Sequence, residues 1–219
     1  MKKIYLILGL LALVIAASIG YVRWDRQQTK KMQDAVLERV GNATAALNTG
    51  LKRGAGSAAQ SKSLITSAER ADADFAAVRA MPGDRILLLG GAASEYLDTT
   101  RELLKRRAKI LLLENVVRQG IHEFRDHMLN RRGAANWTSE AVRLKNKLEE
   151  NFKDYERTIE AHTKLSSDIA SAHKRFDGLE AAGRLVSLTE IAVVRDQAIA
   201  LGKEMAADME ALRYMLEPR

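Results

Sequence analysis

Proline, the residue that most often interrupts helices, is almost missing from this chain. It occurs only at positions 82 and 218 of the 219 residues. Proline lacks the amide hydrogen that a helix interior requires, and its ring collides with the preceding turn. Alanine, leucine, glutamate, lysine and arginine dominate the remaining sequence, and all of them enter helices at low cost. The sequence therefore predicts an all-α fold built from long helices.

Five segments carry apolar residues at the 3.6-residue spacing of a helix face. The predicted helices cover residues 24–48, 57–81, 84–132, 138–178 and 188–216. Glycines supply most of the turn signals between them, namely the cluster Gly50, Gly54 and Gly56, Pro82–Gly83, Gly133 and Gly178. Helix starts are predicted at residues whose side chains accept hydrogen bonds from free amides, namely Asp84, Thr138 or Ser139, and the capping box Ser187–Glu190.

The third and fourth predicted helices carry apolar residues at sevenfold spacing, the pattern of helices that pack along one another. In the third helix the repeat is Leu103, Ile110, Val117 and Phe124. In the fourth helix it is Leu148, Tyr155, His162, Ile169 and Phe176, which we call the seam. Because such stripes must be covered, they predict an elongated antiparallel bundle with coiled-coil-like packing, and self-association through the seam is a further expectation.

The N-terminus contains the longest apolar run of the chain. Ile4–Val22 are nineteen uncharged residues, and Trp24 and Arg26 follow like an interfacial anchor. A helix of this length rises about 28 Å, close to the hydrocarbon thickness of a bilayer. We therefore predict a transmembrane anchor over residues 1–22 and a soluble helical bundle over residues 23–219. A cleaved signal peptide ending near Ser18–Gly20 is the alternative.

The orientation of this predicted anchor depends on its flanking charges. The basic residues after the run outnumber Lys2 and Lys3, and this count favours a cytoplasmic bundle. A short Lys-Lys start that leads straight into an apolar run is, however, typical of bacterial export signals. Long domains also cross the membrane with limited regard to flanking charge. The prediction is a single-pass protein of the bacterial inner membrane with its C-terminal part in the periplasm.

One alternative fold would carry a ligand site. The apolar stretches at the two ends of residues 85–114 resemble strands around a helix, as in a nucleotide-binding βαβ unit. Gly90, Gly91 and Glu114 would then contact the ligand. A single helix is the preferred interpretation, because the chain offers no further strands to complete a sheet. Gly54–Ala59 also fits a loose dinucleotide fingerprint, but no apolar strand precedes it.

The histidines do not form a recognisable metal or catalytic site. His122 and His127 are five residues apart, so they lie about 140° apart around a helix and cannot share a metal easily. Surface ion pairs of His122 with Asp126 and of Glu123 with His127 are predicted instead. His162 is predicted to be a buried seam residue, with pH sensing as the alternative. With no cysteine in the chain, no catalytic, cofactor-binding or metal-ligating residue is assigned.

The charge pattern bears on the class of partner. The formal net charge is +7, but basic and acidic residues alternate along each predicted helix, as on a solvated face. A nucleic-acid partner is therefore not expected. The expected partners are the bilayer and either a second protein or another copy of the chain.

Taken together, these features predict a membrane-anchored, non-enzymatic interaction or scaffold protein of the bacterial cell envelope, without a cofactor. The first alternative is a periplasmic ligand-sensing bundle, whose layout is similar to the helical periplasmic domains of bacterial chemoreceptors. Those receptors cross the membrane a second time, whereas this chain ends at Glu217–Arg219 without a second apolar run. The second alternative is a nucleotide-binding enzyme, which depends on the βαβ interpretation.

Overall fold

A computed structural model describes residues 2–52, 57–131, 135–179 and 184–214 of the chain. The side chains of residues 2–12, 57 and 58 lie outside this description. Five α-helices follow one another and form an all-α bundle with long antiparallel helices. They are α1 (Lys2–Leu51), α2 (Ser57–Arg79), α3 (Gly83–Asn130), α4 (Trp137–Lys174) and α5 (Leu188–Tyr214). At 1.5 Å per residue, α1 alone is about 75 Å long.

One half of the bundle contains parts of all five helices, and we call it the wide half. Its core is a single apolar cluster that extends from Val36 on α1 to Val194 on α5. Helices α1 and α2 run in opposite directions here, and Arg39 pairs with Asp74 at 2.6 Å between them. A Cβ at Gly50 would overlap the end of the Leu64 side chain, so the glycine allows α1 and α2 to approach closely here.

The other half contains only α3, α4 and α5, and we call it the narrow half. Its core is a second apolar cluster, which extends from Ile110 and Val117 on α3 to Leu212 on α5. Glycines bring α3 and α5 close to α4. A Cβ at Gly120 would lie 3.1 Å from Leu148, and one at Gly202 would lie 3.3 Å from Tyr155.

The predicted helical periodicity is confirmed by burial. All members of the two sevenfold repeats on α3 and α4 are buried. The five seam residues pack within their own chain, so the seam holds the bundle together. These residues are therefore covered within one chain, and self-association through the seam stays a prediction.

The alternative interpretation of residues 85–114 as a βαβ unit is wrong, because these residues belong to α3. The backbone leaves helical geometry at Leu87 and then resumes it. Gly90 packs under Ile86, and Glu114 pairs with Arg118 at 3.5 Å, so neither faces a nucleotide site. The fingerprint at Gly54–Ala59 falls largely on residues outside the described part of the chain.

Two of the three predicted helix starts need correction. Pro82 and Asn136 occupy the N-cap positions of α3 and α4, and neither cap carries a side-chain hydrogen bond. Asp84 lies in the first turn of α3, where a carboxylate still favours the positive end of the helix dipole. The third start is confirmed, because the Glu190 amide donates to Ser187 Oγ at 3.4 Å.

The predicted turns had a mixed outcome. Gly50 lies inside α1, which continues to Leu51, and Gly54, Gly56 and Gly133 lie outside the described residues. The turn after α4 is confirmed, since Gly178 has a φ of +80°.

Helix α1 is continuous from Lys2 through the predicted anchor into the core of the wide half. Where side chains are described, no helix is both long enough and apolar enough to cross a membrane. The predicted anchor over residues 1–22 lies for more than half of its length on residues whose side chains are not described.

Candidate functional site at the exit end of the bundle

The exit end is the end of the wide half where α1 leaves the bundle towards its N-terminus. Arg85, in the first turn of α3, joins α3 to α1 there. Its Nη2 lies 3.2 Å from Asp25 Oδ1, and its guanidinium lies 5.9 Å from the centre of the Trp24 ring. The Tyr21 ring is 6.1 Å from Trp24. The ion pair and the cation–π contact therefore fix the start of α3 beside α1, and the aromatic pair lies within α1.

The backbone of α3 is unusual just beyond this contact. Leu87 has φ 26° and ψ −115°, and a positive φ is costly for a side chain with a Cβ. Ile86 and Leu89 on either side are buried, whereas 72% of Leu87 and 81% of Leu88 are exposed. A Cβ at Gly90 would lie 2.5 Å from Ile86 Cδ1, so the glycine makes room for this packing. The kink thus presents two neighbouring leucines outward.

An open cleft of about 530 Å³ lies beside the kink, between α1 and the turn after α4. Leu37 and Leu89 contribute its apolar surface. Its charged lining residues carry both signs, namely Asp25, Arg26, Lys30 and Asp34. Such a mixed lining suits neither a phosphate nor a cation, which need a concentration of one sign.

Tyr96 joins elements of the wide half from inside its core. Its hydroxyl lies 2.7 Å from Thr44 Oγ1, and the Val186 amide donates to it at 3.1 Å. Its ring contacts Phe176 edge-on at 5.9 Å. Burial raises the pKa of Tyr96, so the phenol stays protonated at neutral pH and can donate to Thr44. One buried side chain therefore ties α3 to α1, to the end of α4 and to the segment before α5.

A second buried polar group separates the two apolar clusters. His162, only 2% exposed, is accompanied by Thr158 on α4 and by Arg107, 6% exposed, on α3. Burial, with the positive charges of Arg107 and Arg195, lowers the pKa of His162 to about 4. The imidazole is therefore neutral at physiological pH. His162 is buried as a seam residue, as predicted. Its pKa lies well below the neutral range in which a pH sensor must titrate.

The residues around His127 have a structural role that the sequence did not reveal. His127 is buried, stacks on Trp137 at 5.9 Å, and its Nε2 lies 2.8 Å from the Trp137 carbonyl oxygen. In return, Trp137 Nε1 donates to the His127 carbonyl oxygen at 3.2 Å. This reciprocal pair joins the end of α3 to the start of α4.

The predicted surface ion pairs are accordingly wrong. Glu123 accepts a hydrogen bond from Gln119 at 2.7 Å, and Asp126 accepts one from Asn130 at 2.7 Å and lies 3.7 Å from Arg131. Across the described part of the chain, no three histidine or carboxylate side chains converge on a position that could hold a metal ion.

The narrow half has an open groove between α4 and α5. Two adjoining cavities of about 270 and 320 Å³ form it. Apolar side chains line its floor and charged ones its rim, and they include Phe152, Ile159, Ile199, Met209, Glu156 and Lys203. Helix α3 covers the opposite side of α4, and among the described residues no fourth helix lies over this groove.

Sequence patterns foresaw the burial of His162 but missed Tyr96, Arg107 and the kink at Leu87. A tyrosine or arginine among apolar neighbours carries no local sign of whether it is buried, because burial depends on helices distant in sequence. The unbroken apolar run Ile86–Leu89 was the available signal for the exit end, since four apolar residues in succession exceed what one helix face can bury. No known protein family, curated protein or solved structure matches this chain.

Proposed function

We propose that this chain is a membrane-anchored, non-enzymatic interaction protein of the bacterial cell envelope. The observation that carries the proposal is the unbroken course of α1 from its apolar N-terminal segment into the core of the wide half. Such a helix holds the bundle at a fixed position relative to whatever surrounds its N-terminal segment. A scaffold requires this rigid attachment, whereas a flexible linker would leave the bundle free to move.

The exposed side chains of α1 favour lipid as the surrounding medium. From Leu13 to Val22, no described side chain packs against the bundle, and the large apolar ones are about half exposed or more. Exposed apolar surface of this extent is unfavourable in water and favourable in a bilayer. Tyr21 and Trp24 at the end of the run suit headgroup depth. The proposed location is the bacterial inner membrane, with the bundle on the periplasmic side.

The groove between α4 and α5 supports the interaction part of the proposal. It combines an apolar floor with a charged rim, which is the usual composition of a protein-binding surface. An amphipathic helix, from a second protein or another copy of this chain, would complete the narrow half as a four-helix bundle. The groove lies at the end of the bundle away from α1, where a partner in the periplasm would meet it.

Membrane extraction tests the anchor. Ile15 and Ile19 are exposed on α1, and the double variant Ile15→Glu/Ile19→Glu places two charges in the proposed span. Wild-type protein should resist carbonate extraction, and this variant should be released. The matched control is Ile65→Glu/Leu129→Glu, which charges two exposed apolar side chains outside the span and should stay with the membrane. Release of the wild type would overturn the proposal.

Site-specific crosslinking tests the groove. A photoreactive amino acid at Lys203, on the groove rim, should give a discrete adduct in intact cells. The same amino acid at Arg143, exposed on α4 outside the groove, is the control. Equal labelling at the two positions would contradict a groove-specific partner. A reporter fused to the C-terminus would establish on which side of the membrane the bundle lies.

A further inference from the structure

The kink at the start of α3 exposes apolar surface at an unexpected place. Leu87 and Leu88 are the most exposed large apolar residues of the described chain. Within α3, Leu87 holds a positive φ that leucine rarely adopts. Strain of this kind persists where surrounding contacts or function require it.

Contacts between α3 and α1 show at which level of α1 the two leucines lie. Arg85 contacts Trp24 and Asp25, while Leu89 lines the cleft together with Asp25 to Leu37. Leu87 and Leu88 therefore lie slightly farther from the N-terminus of α1 than Trp24 does. Trp24 follows Val22 by two residues, which is a rise of about 3 Å, and the headgroup layer on one side of a bilayer is about 5–7 Å thick. With the hydrocarbon ending near Val22, Trp24 lies within the headgroup layer and both leucines lie near its outer edge.

We propose that Leu87 and Leu88 form a second, shallow contact with the bilayer beside α1. The expected surface is anionic, because Arg23, Arg26 and Arg85 outnumber Asp25 and Asp84 at this level, and anionic lipid headgroups attract the excess positive charge. Apolar residues next to a tryptophan and cations are typical of segments that lie in the interface. This second contact would fix the tilt of the bundle, which a single helix leaves free. The inference rests on the membrane anchor proposed above.

The absence of cysteine from the chain makes a fluorescence test direct. Full-length Leu88→Cys, labelled with an environment-sensitive dye, is reconstituted into vesicles of phosphatidylcholine and phosphatidylglycerol. A blue shift and quenching by headgroup-proximal spin-labelled lipid are expected. Leu129→Cys, at a position 59% exposed in the narrow half, is the control and should report water. Circular dichroism of each labelled variant checks that the bundle is folded.

A third labelled variant, Ile15→Cys, separates the two proposals. Quenching at positions 15 and 88 supports both of them. Quenching at position 15 with a water-like signal at position 88 overturns the second contact and leaves the anchor in place. A water-like signal at both positions overturns both. A blue shift at position 88 that is insensitive to spin-labelled lipid means that protein covers the leucines, and this result also overturns the lipid contact.

Discussion

The two halves of the bundle are stabilised in different ways. The wide half assembles five helices around one apolar cluster and adds a buried hydrogen-bonding tyrosine that reaches three of its segments. The narrow half has three helices, brings them together through glycines, and leaves a groove open between α4 and α5. The two halves therefore differ in how their helices are held together as well as in the number of helices. The wide half encloses the inner part of α1, whereas the groove of the narrow half is open in the described part of the chain.

This difference predicts unequal local stability. Three helices bury less apolar surface per residue than five, and cooperative units with fewer buried contacts open at lower free energy. The buried His162 and Arg107 lie between the two clusters, where a boundary between such units is expected.

The largest expected effect is the loss of an aromatic side chain from the narrow half. Phe124→Ala should cost about 3–5 kcal/mol, through lost burial and the cavity left behind. Hydrogen exchange should then show loss of protection in the C-terminal half of α3 and the N-terminal half of α4, while α1 and α2 stay protected. Leu104→Ala, in the wide half, is the comparison and should lower protection throughout. Uniform loss in both variants would mean that the bundle opens as one unit.

The second effect concerns the boundary and depends on pH. The pKa of His162 is lowered to about 4 in the folded chain, while in the unfolded chain it is near 6.5. Between these values the unfolded chain binds a proton that the folded chain excludes, so stability falls as pH falls. The full contribution is about 3 kcal/mol. Urea titrations should show that His162→Gln loses less stability than wild type between pH 7 and pH 4. An identical pH dependence would contradict a buried neutral imidazole.

A third, smaller effect contrasts two buried tyrosines. Tyr96→Phe should cost about 1–3 kcal/mol, because the Val186 amide and the Thr44 hydroxyl lose a buried partner. Tyr155→Phe should cost about 1 kcal/mol or less, because the Tyr155 hydroxyl makes one hydrogen bond. Its acceptor is the carbonyl oxygen of Ala198, which lies within α5. Thermal unfolding of both variants measures the difference. A larger cost in Tyr155→Phe would reverse the assignment of Tyr96 as the residue that ties the wide half together.

The smallest effect compares two helix glycines. A Cβ at Gly41 on α1 meets no atom within 4 Å, so Gly41→Ala should stabilise the chain by about 0.5–1 kcal/mol. Gly202→Ala should be less stable than Gly41→Ala, because its Cβ would press on the Tyr155 ring, which the Ala198 carbonyl holds in place. Equal stabilisation by the two substitutions would show that α5 can move away from α4 without cost.

The sequence by itself determined the helices and their inward faces. Few prolines and a regular apolar spacing impose helical backbone locally, and the repeats from Leu103 and from Leu148 proved to be the buried faces of α3 and α4. The capping box at Ser187 was also readable, because its hydrogen bond joins residues three apart.

The tertiary structure decided everything that depends on distant neighbours. Tyr96 and Thr44 are 52 residues apart and Tyr96 and Val186 are 90 residues apart, so no local pattern could reveal their contact. The ion pair expected between Glu123 and His127 failed for the same reason, since His127 is buried against Trp137 at the start of α4. The kink at Leu87 and the open groove depend on how the helices pack against one another. The spacing of apolar residues along one helix does not specify that packing.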